Sequence, residues 1–119
     1  MTQRTEADIQ TEFFLKVRLL IKDIPDKLLY HVPNGEVRNV RVGAKLKRMG
    51  VVCGVPDVVL AIPNKSYHSL YIEFKACNGS QTKEQKEFQQ QAEKAGSKYV
   101  ICRSAYEAVK EIREYLNEK

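Results

Sequence analysis

Ile9, Phe13, Val17 and Leu20 recur at intervals of three and four residues, which predicts an amphipathic first helix with these side chains as its buried stripe. Thr5 stands where an N-cap belongs, and Asp8 completes a shortened capping box. The helix must end before Ile24-Pro25, because the residue ahead of a proline is pushed out of the helical region. Leu29-Tyr30-His31-Val32 reads as a short strand, closed by Pro33-Asn34-Gly35. The stretch from Glu36 to Gly50 is strongly charged, with a short helix expected around Ala44 to Met49. Two apolar runs follow, Val58 to Ile62 and Leu70 to Phe74, joined by a polar hairpin-like connection from Pro63 to Ser69. The first run is almost uninterrupted, as in a strand buried on both faces. After the Asn78-Gly79-Ser80 turn, Thr82 and Gln85 form a capping box for a helix that runs to Gly96. Lys98 to Cys102 is a last strand, and Ser104 with Glu107 makes another capping box, for a closing helix containing Ala108, Ile112 and Leu116. The order is α-β-β-β-α-β-α, an α/β chain with a mixed sheet flanked by helices.

Composition narrows the class without naming it. The 119 residues suit a single domain, 1–119, and 43% hydrophobic with 29% charged residues describe a globular chain. Twenty Lys and Arg against fifteen Asp and Glu leave a net charge of +5, which suits a polyanionic partner. Cys53, Cys77 and Cys102 are odd in number and form no CxxC pair, so reduced thiols are expected rather than zinc or disulfides. The polar N-terminus and the lack of a membrane-length apolar run point to a cytoplasmic protein that makes no use of a membrane.

The chemistry is concentrated in Val55-Pro56-Asp57 and Ile72-Glu73-Phe74-Lys75. Successive strand residues point to opposite faces, so Glu73 and Lys75 share one face and Phe74 takes the other. If the strand entered by Asp57 pairs alongside, two carboxylates and one ammonium converge. Carboxylates are hard oxygen ligands of the kind Mg²⁺ prefers, with waters and substrate phosphate completing its shell. Taken alone, Glu-x-Lys can sit on a solvated strand face and Pro-Asp is a common turn dipeptide. Together, on two otherwise apolar strands, the three charges need partners.

The chain resembles the PD-(D/E)xK nuclease superfamily and, within it, a stand-alone VRR-NUC domain of the kind found in phages and bacteria. The resemblance rests on Glu6-x-x-x-Gln10, His31-Val-Pro-Asn-Gly35, Gly43-x-Lys45-x-x-x-x-Gly50, Gly54-Val-Pro-Asp57, Glu73-x-Lys75, Thr82-x-x-Gln85 and Gly96-x-x-Tyr99. It implies a restriction-endonuclease-like fold and a Mg²⁺-dependent DNA endonuclease, with Mn²⁺ able to substitute. Asp57, Glu73 and the Phe74 backbone carbonyl would hold the metal. Glu6 would complete the site directly or through water, and Lys75 would orient the attacking water. Gln10 and Gln85 would be supporting contacts. Glu12 is a rival to Glu6, but it lies four residues before Lys16, which suits a surface ion pair. Gln85 has the alternative of being a capping residue only.

His31, Asn34, Arg38, Arg41, Lys45, Lys47 and Arg48 are the candidate DNA contacts. The basic run has a solvated face as its alternative, and His31 a structural role. Branched DNA, including four-way (Holliday) junctions, is the substrate class the resemblance implies, and paired incisions there require a homodimer. The alternatives are a nickase or flap nuclease within a phage replication assembly and a non-catalytic nucleic-acid-binding module.

Overall fold

Helix α1 spans Glu6–Leu20 and opens on the expected box: Thr5 Oγ1 accepts the Asp8 N–H at 3.0 Å and Asp8 Oδ2 accepts the Thr5 N–H at 3.1 Å. The computed structural model describes residues 4–33 and 40–118. A 3-10 turn, Asp26–Leu28, leads into β1 (Leu29–His31), followed by α2 (Val40–Arg48), β2 (Val58–Leu60), β3 (Leu70–Phe74), α3 (Lys83–Lys94), β4 (Lys98–Cys102) and α4 (Ala105–Asn117). The four strands form one sheet in the order β1-β2-β3-β4. The first two pairings are antiparallel and the third is parallel, so the sheet is mixed. The parallel step needs a crossover, which α3 supplies.

Strand parity sorts the core. Leu70, Ile72 and Phe74 are fully buried beneath α1 and α4, where the Phe13 and Phe74 rings lie 5.5 Å apart. Ile9, Phe13 and Val17 are the buried stripe of α1, whereas Leu20 is exposed at its last turn. Tyr71, Glu73 and Lys75 have the opposite parity and face α3, whose Phe88 packs edge-on against Tyr71 at 5.1 Å and also reaches Tyr99.

Three expectations change in detail. Helix α2 begins at Val40, a turn earlier than Ala44. Strand β2 ends at Leu60, with Val59 half-buried and Ala61 exposed, so it is not a strand buried on both faces. The reason lies in the neighbouring strand: Ala61 N–H bonds Leu28 O at 2.8 Å, but Leu28 belongs to the 3-10 turn rather than to a longer β1. At α4, Ser104 Oγ accepts the Glu107 N–H at 3.1 Å, but Glu107 Oε1 takes the Arg103 N–H instead of closing the box on Ser104. Among the described residues, no helix is long and apolar enough to cross a membrane.

One close approach fixes how the segment before β2 lies. Gly54 is buried at φ +88°, and a Cβ there would stand 2.6 Å from the Glu84 carbonyl carbon in the first turn of α3. Only glycine allows both that backbone conformation and that contact. The loop leading to Asp57 is thereby seated on the N-terminal end of α3, the same end that carries Gln85.

Candidate active site

The antiparallel register of β2 and β3 builds the site. Val58 lies opposite Ile72, so the next pair along the same ladder is Asp57 and Glu73. Directly opposed residues project from one face. The Asp57 carboxylate is anchored, because its Oδ2 accepts the Phe74 N–H at 2.7 Å. Pro56 is fully buried just ahead of the strand, a position where its missing N–H costs no ladder bond.

Glu73 occupies the most strained electrostatic position of the described residues. It is 2% exposed, its Oε2 accepts Gln85 Nε2–H at 3.0 Å, and the same oxygen lies 3.8 Å from Lys75 Nζ. Its other oxygen, Oε1, is buried without a hydrogen-bond partner. Lys75 is 6% exposed, and its backbone N–H extends the parallel ladder to Cys102 O at 3.1 Å, which keeps it on the Glu73 side. Burial pushes the Glu73 carboxyl up to about 8; repulsion from Asp57 adds to this, Lys75 opposes it, and Glu6 contributes a smaller push. The site is short of positive charge. A buried carboxylate facing a second one needs more than a single ammonium at 3.8 Å.

Gln85 has two roles at once. Its Oε1 accepts the Thr82 N–H at 2.9 Å as the capping box requires, and its Nε2 donates to Glu73. Gln85 therefore caps α3 and bonds Glu73 with the same side chain. His31 is exposed, and its ring reaches Asp57: Nδ1 lies 2.7 Å from the Asp57 carbonyl oxygen, which also accepts the Val32 N–H at 2.8 Å.

The remaining expected residues are placed less tightly. Glu6 is exposed in the first turn of α1, close enough to act on Glu73 electrostatically. Among the described residues, no three His, Cys, Asp or Glu side chains gather into one ligand cluster, so Glu6 does not close on the Asp57–Glu73 pair. Glu12 is ion-paired with Lys16 at 2.8 Å and with Arg4, as the helical spacing predicts. Gln10 is half-buried and lines a surface depression with Thr11, Phe14 and Leu15. Lys45, Lys47 and Arg48 are exposed on α2. Arg41 belongs to the same helix, but its side chain lies outside the described residues, as do Asn34 and Arg38 entirely.

Two further side chains support the site: Arg103, which the sequence does not announce, and Tyr99 of the Gly96-x-x-Tyr99 pattern. Arg103 Nη1 donates to Ala76 O at 2.8 Å and pins the turn that follows Lys75. Tyr99 lies buried on the α3 side, its hydroxyl accepting from Gln81 Nε2 at 3.4 Å; burial, with repulsion from Glu73 and Asp57, pushes it up to about 12. Arg103 sits 27 residues from its partner, and no local pattern marks such a contact.

The chain as a whole has counterparts among known proteins. The family profile described as VRR-NUC domain matches residues 14–106. A solved structure described as "VRR_NUC domain protein" superposes with a TM-score of 0.82 at 30% identity, covering 99% of this chain and 93% of that one. No curated protein matches the chain. VRR-NUC domains are nucleases that act on DNA. The profile takes in Asp57, Glu73, Lys75 and Gln85 together with the sheet that carries them, and the chain belongs to the VRR-NUC domain family.

Proposed function

We propose that the chain is a Mg²⁺-dependent DNA endonuclease whose centre is Asp57, Glu73 and Lys75. The observation that carries this reading is the buried Glu73, facing Asp57 with its Oε1 unpartnered. An orphaned buried oxygen beside a second carboxylate suits a cation, and the donors suit a hard ion. Mg²⁺ is commonly held by one or two carboxylates plus waters and phosphate, so Asp57 and Glu73 suffice, with the Phe74 carbonyl as a third oxygen and Glu6 acting through water. When bound, the ion supplies Lewis acidity and a water of lowered pKa. Mn²⁺ fits the same oxygen donors.

The chain's own groups set the geometry. Asp57 is held by Phe74 N–H and Glu73 by Gln85, which leaves Glu73 Oε1 for the ion. Lys75 stands beside Glu73 with its stem buried, placed to orient the attacking water and to balance negative charge developing on the phosphate. Asn34, Arg38, Arg41, Lys45, Lys47 and Arg48 contact the DNA, mostly at phosphates, so shape rather than sequence selects the substrate.

Branched DNA such as a four-way junction is the preferred substrate, cut by a homodimer acting in a bacterial or phage-infected cytoplasm. Leu15 and Leu19 are 65% and 70% exposed on α1, and a groove of about 500 Å³ runs between α1 and α4 beside Tyr106 and Val109. This apolar face supports a two-fold interface. Incubating supercoiled plasmid and a labelled junction with Mg²⁺, Mn²⁺, Ca²⁺ or EDTA tests the reading. Cleavage is expected with Mg²⁺ and Mn²⁺, and binding with little cleavage in Ca²⁺. Undiminished cutting in excess EDTA refutes metal dependence; binding without any cutting leaves a non-catalytic module.

A further inference from the structure

We infer that His31 is a positioning residue for Asp57, acting through the Asp57 backbone rather than on DNA. The inference rests on the reading of Asp57 as a metal ligand. Asp57 is held at both ends. Its carboxylate is fixed from β3 by the Phe74 N–H at 2.7 Å. Its carbonyl is fixed from the β1 side, by Val32 N–H at 2.8 Å and the His31 ring nitrogen at 2.7 Å.

The second grip matters because β1 is short. His31 pairs with Val58 as the last residue of the strand, and Pro33 has no N–H with which to carry the ladder further. Without His31, the Asp57 peptide is tied to β1 by the Val32 bond alone, at the point where its carboxylate must stay opposite Glu73. A carbonyl oxygen only accepts, so Nδ1 carries the hydrogen and donates it to the Asp57 peptide. The ring is thereby engaged with the Asp57 backbone, where the sequence alone suggests a DNA contact.

The two ends of the ring can be tested separately. Asn places an amide N–H where Nδ1 lies, whereas Gln places one near Nε2. Mn²⁺ binding is measured by titration calorimetry on the protein without DNA, for His31→Ala, His31→Asn, His31→Gln and Asp57→Asn. Melting temperatures and junction binding in Ca²⁺ are measured alongside. His31→Ala is expected to weaken Mn²⁺ binding roughly tenfold, the low end for loss of an outer-shell partner. His31→Asn should restore most of the affinity, His31→Gln should not, and junction binding should hold in all three. Rescue by Gln instead of Asn, or Mn²⁺ binding unchanged in all three with junction binding lost, overturns the inference while Asp57→Asn still abolishes Mn²⁺ binding. Wild-type Mn²⁺ affinity in a folded Asp57→Asn protein overturns the site reading itself.

Discussion

Replacing Glu73 by Gln should make the metal-free protein more stable, by an amount that grows with pH. The wild-type carboxyl is pushed up to about 8 from 4.5, chiefly by burial and then by Asp57. A group whose folded pKa is raised holds its proton more tightly in the fold than in the unfolded chain. Its contribution is therefore fully present below pH 4.5 and is lost as pH climbs through 8. At about 1.4 kcal/mol per unit, the loss is about 3 kcal/mol by pH 7 and about 5 kcal/mol above pH 8. The glutamine side chain is neutral throughout. Its carbonyl can keep the Gln85 bond. Urea unfolding in EDTA from pH 4 to pH 9 measures the difference. The two proteins should match near pH 4 and diverge steadily, with Glu73→Gln the more stable. Parallel profiles, or a Glu73→Gln protein that is weaker at pH 8, would refute the electrostatic account of the site.

Other outcomes follow from the same geometry. Lys75→Met keeps the buried stem but removes the ammonium 3.8 Å from Glu73; cleavage should fall roughly 10²–10³-fold in single-turnover assays while Mn²⁺ binding persists. Gly54→Ala forces a Cβ against the Glu84 backbone at a positive φ, which should cost roughly 2–4 kcal/mol in urea unfolding and slow cleavage by displacing the Asp57 loop. Junction binding in Ca²⁺ should weaken steeply as salt rises and vary little with base sequence, as gel titrations will show.

Much of this architecture is written in short-range patterns. The capping boxes at Thr5 and Thr82 and the apolar stripe of Ile9, Phe13 and Val17 each follow from contacts within one helix, and the sequence states them directly. Asp57, Glu73 and Lys75 could be singled out because strand parity is strict and charges on apolar strands are rare. Other features are set by long-range contacts. The end of β2 depends on where Leu28 lies. The bond of the His31 ring to Asp57 and the Arg103 grip on Ala76 join residues 26 and 27 positions apart, and nothing local encodes either. Glu6 shows a limit of motif spacing: its place on α1 is as expected, but it stands exposed and is not clustered with Asp57 and Glu73.

The central claim is that Asp57 and Glu73 form the cleavage centre, and single-turnover cleavage of an end-labelled four-way junction in Mg²⁺ tests it most directly. Wild type is compared with Asp57→Asn and Glu73→Gln, each first shown to be folded by its melting transition. Both substitutions remove a negative ligand at nearly constant shape, so cleavage should fall by orders of magnitude while junction binding in Ca²⁺ remains. Wild-type cleavage by a folded Glu73→Gln protein would contradict the claim.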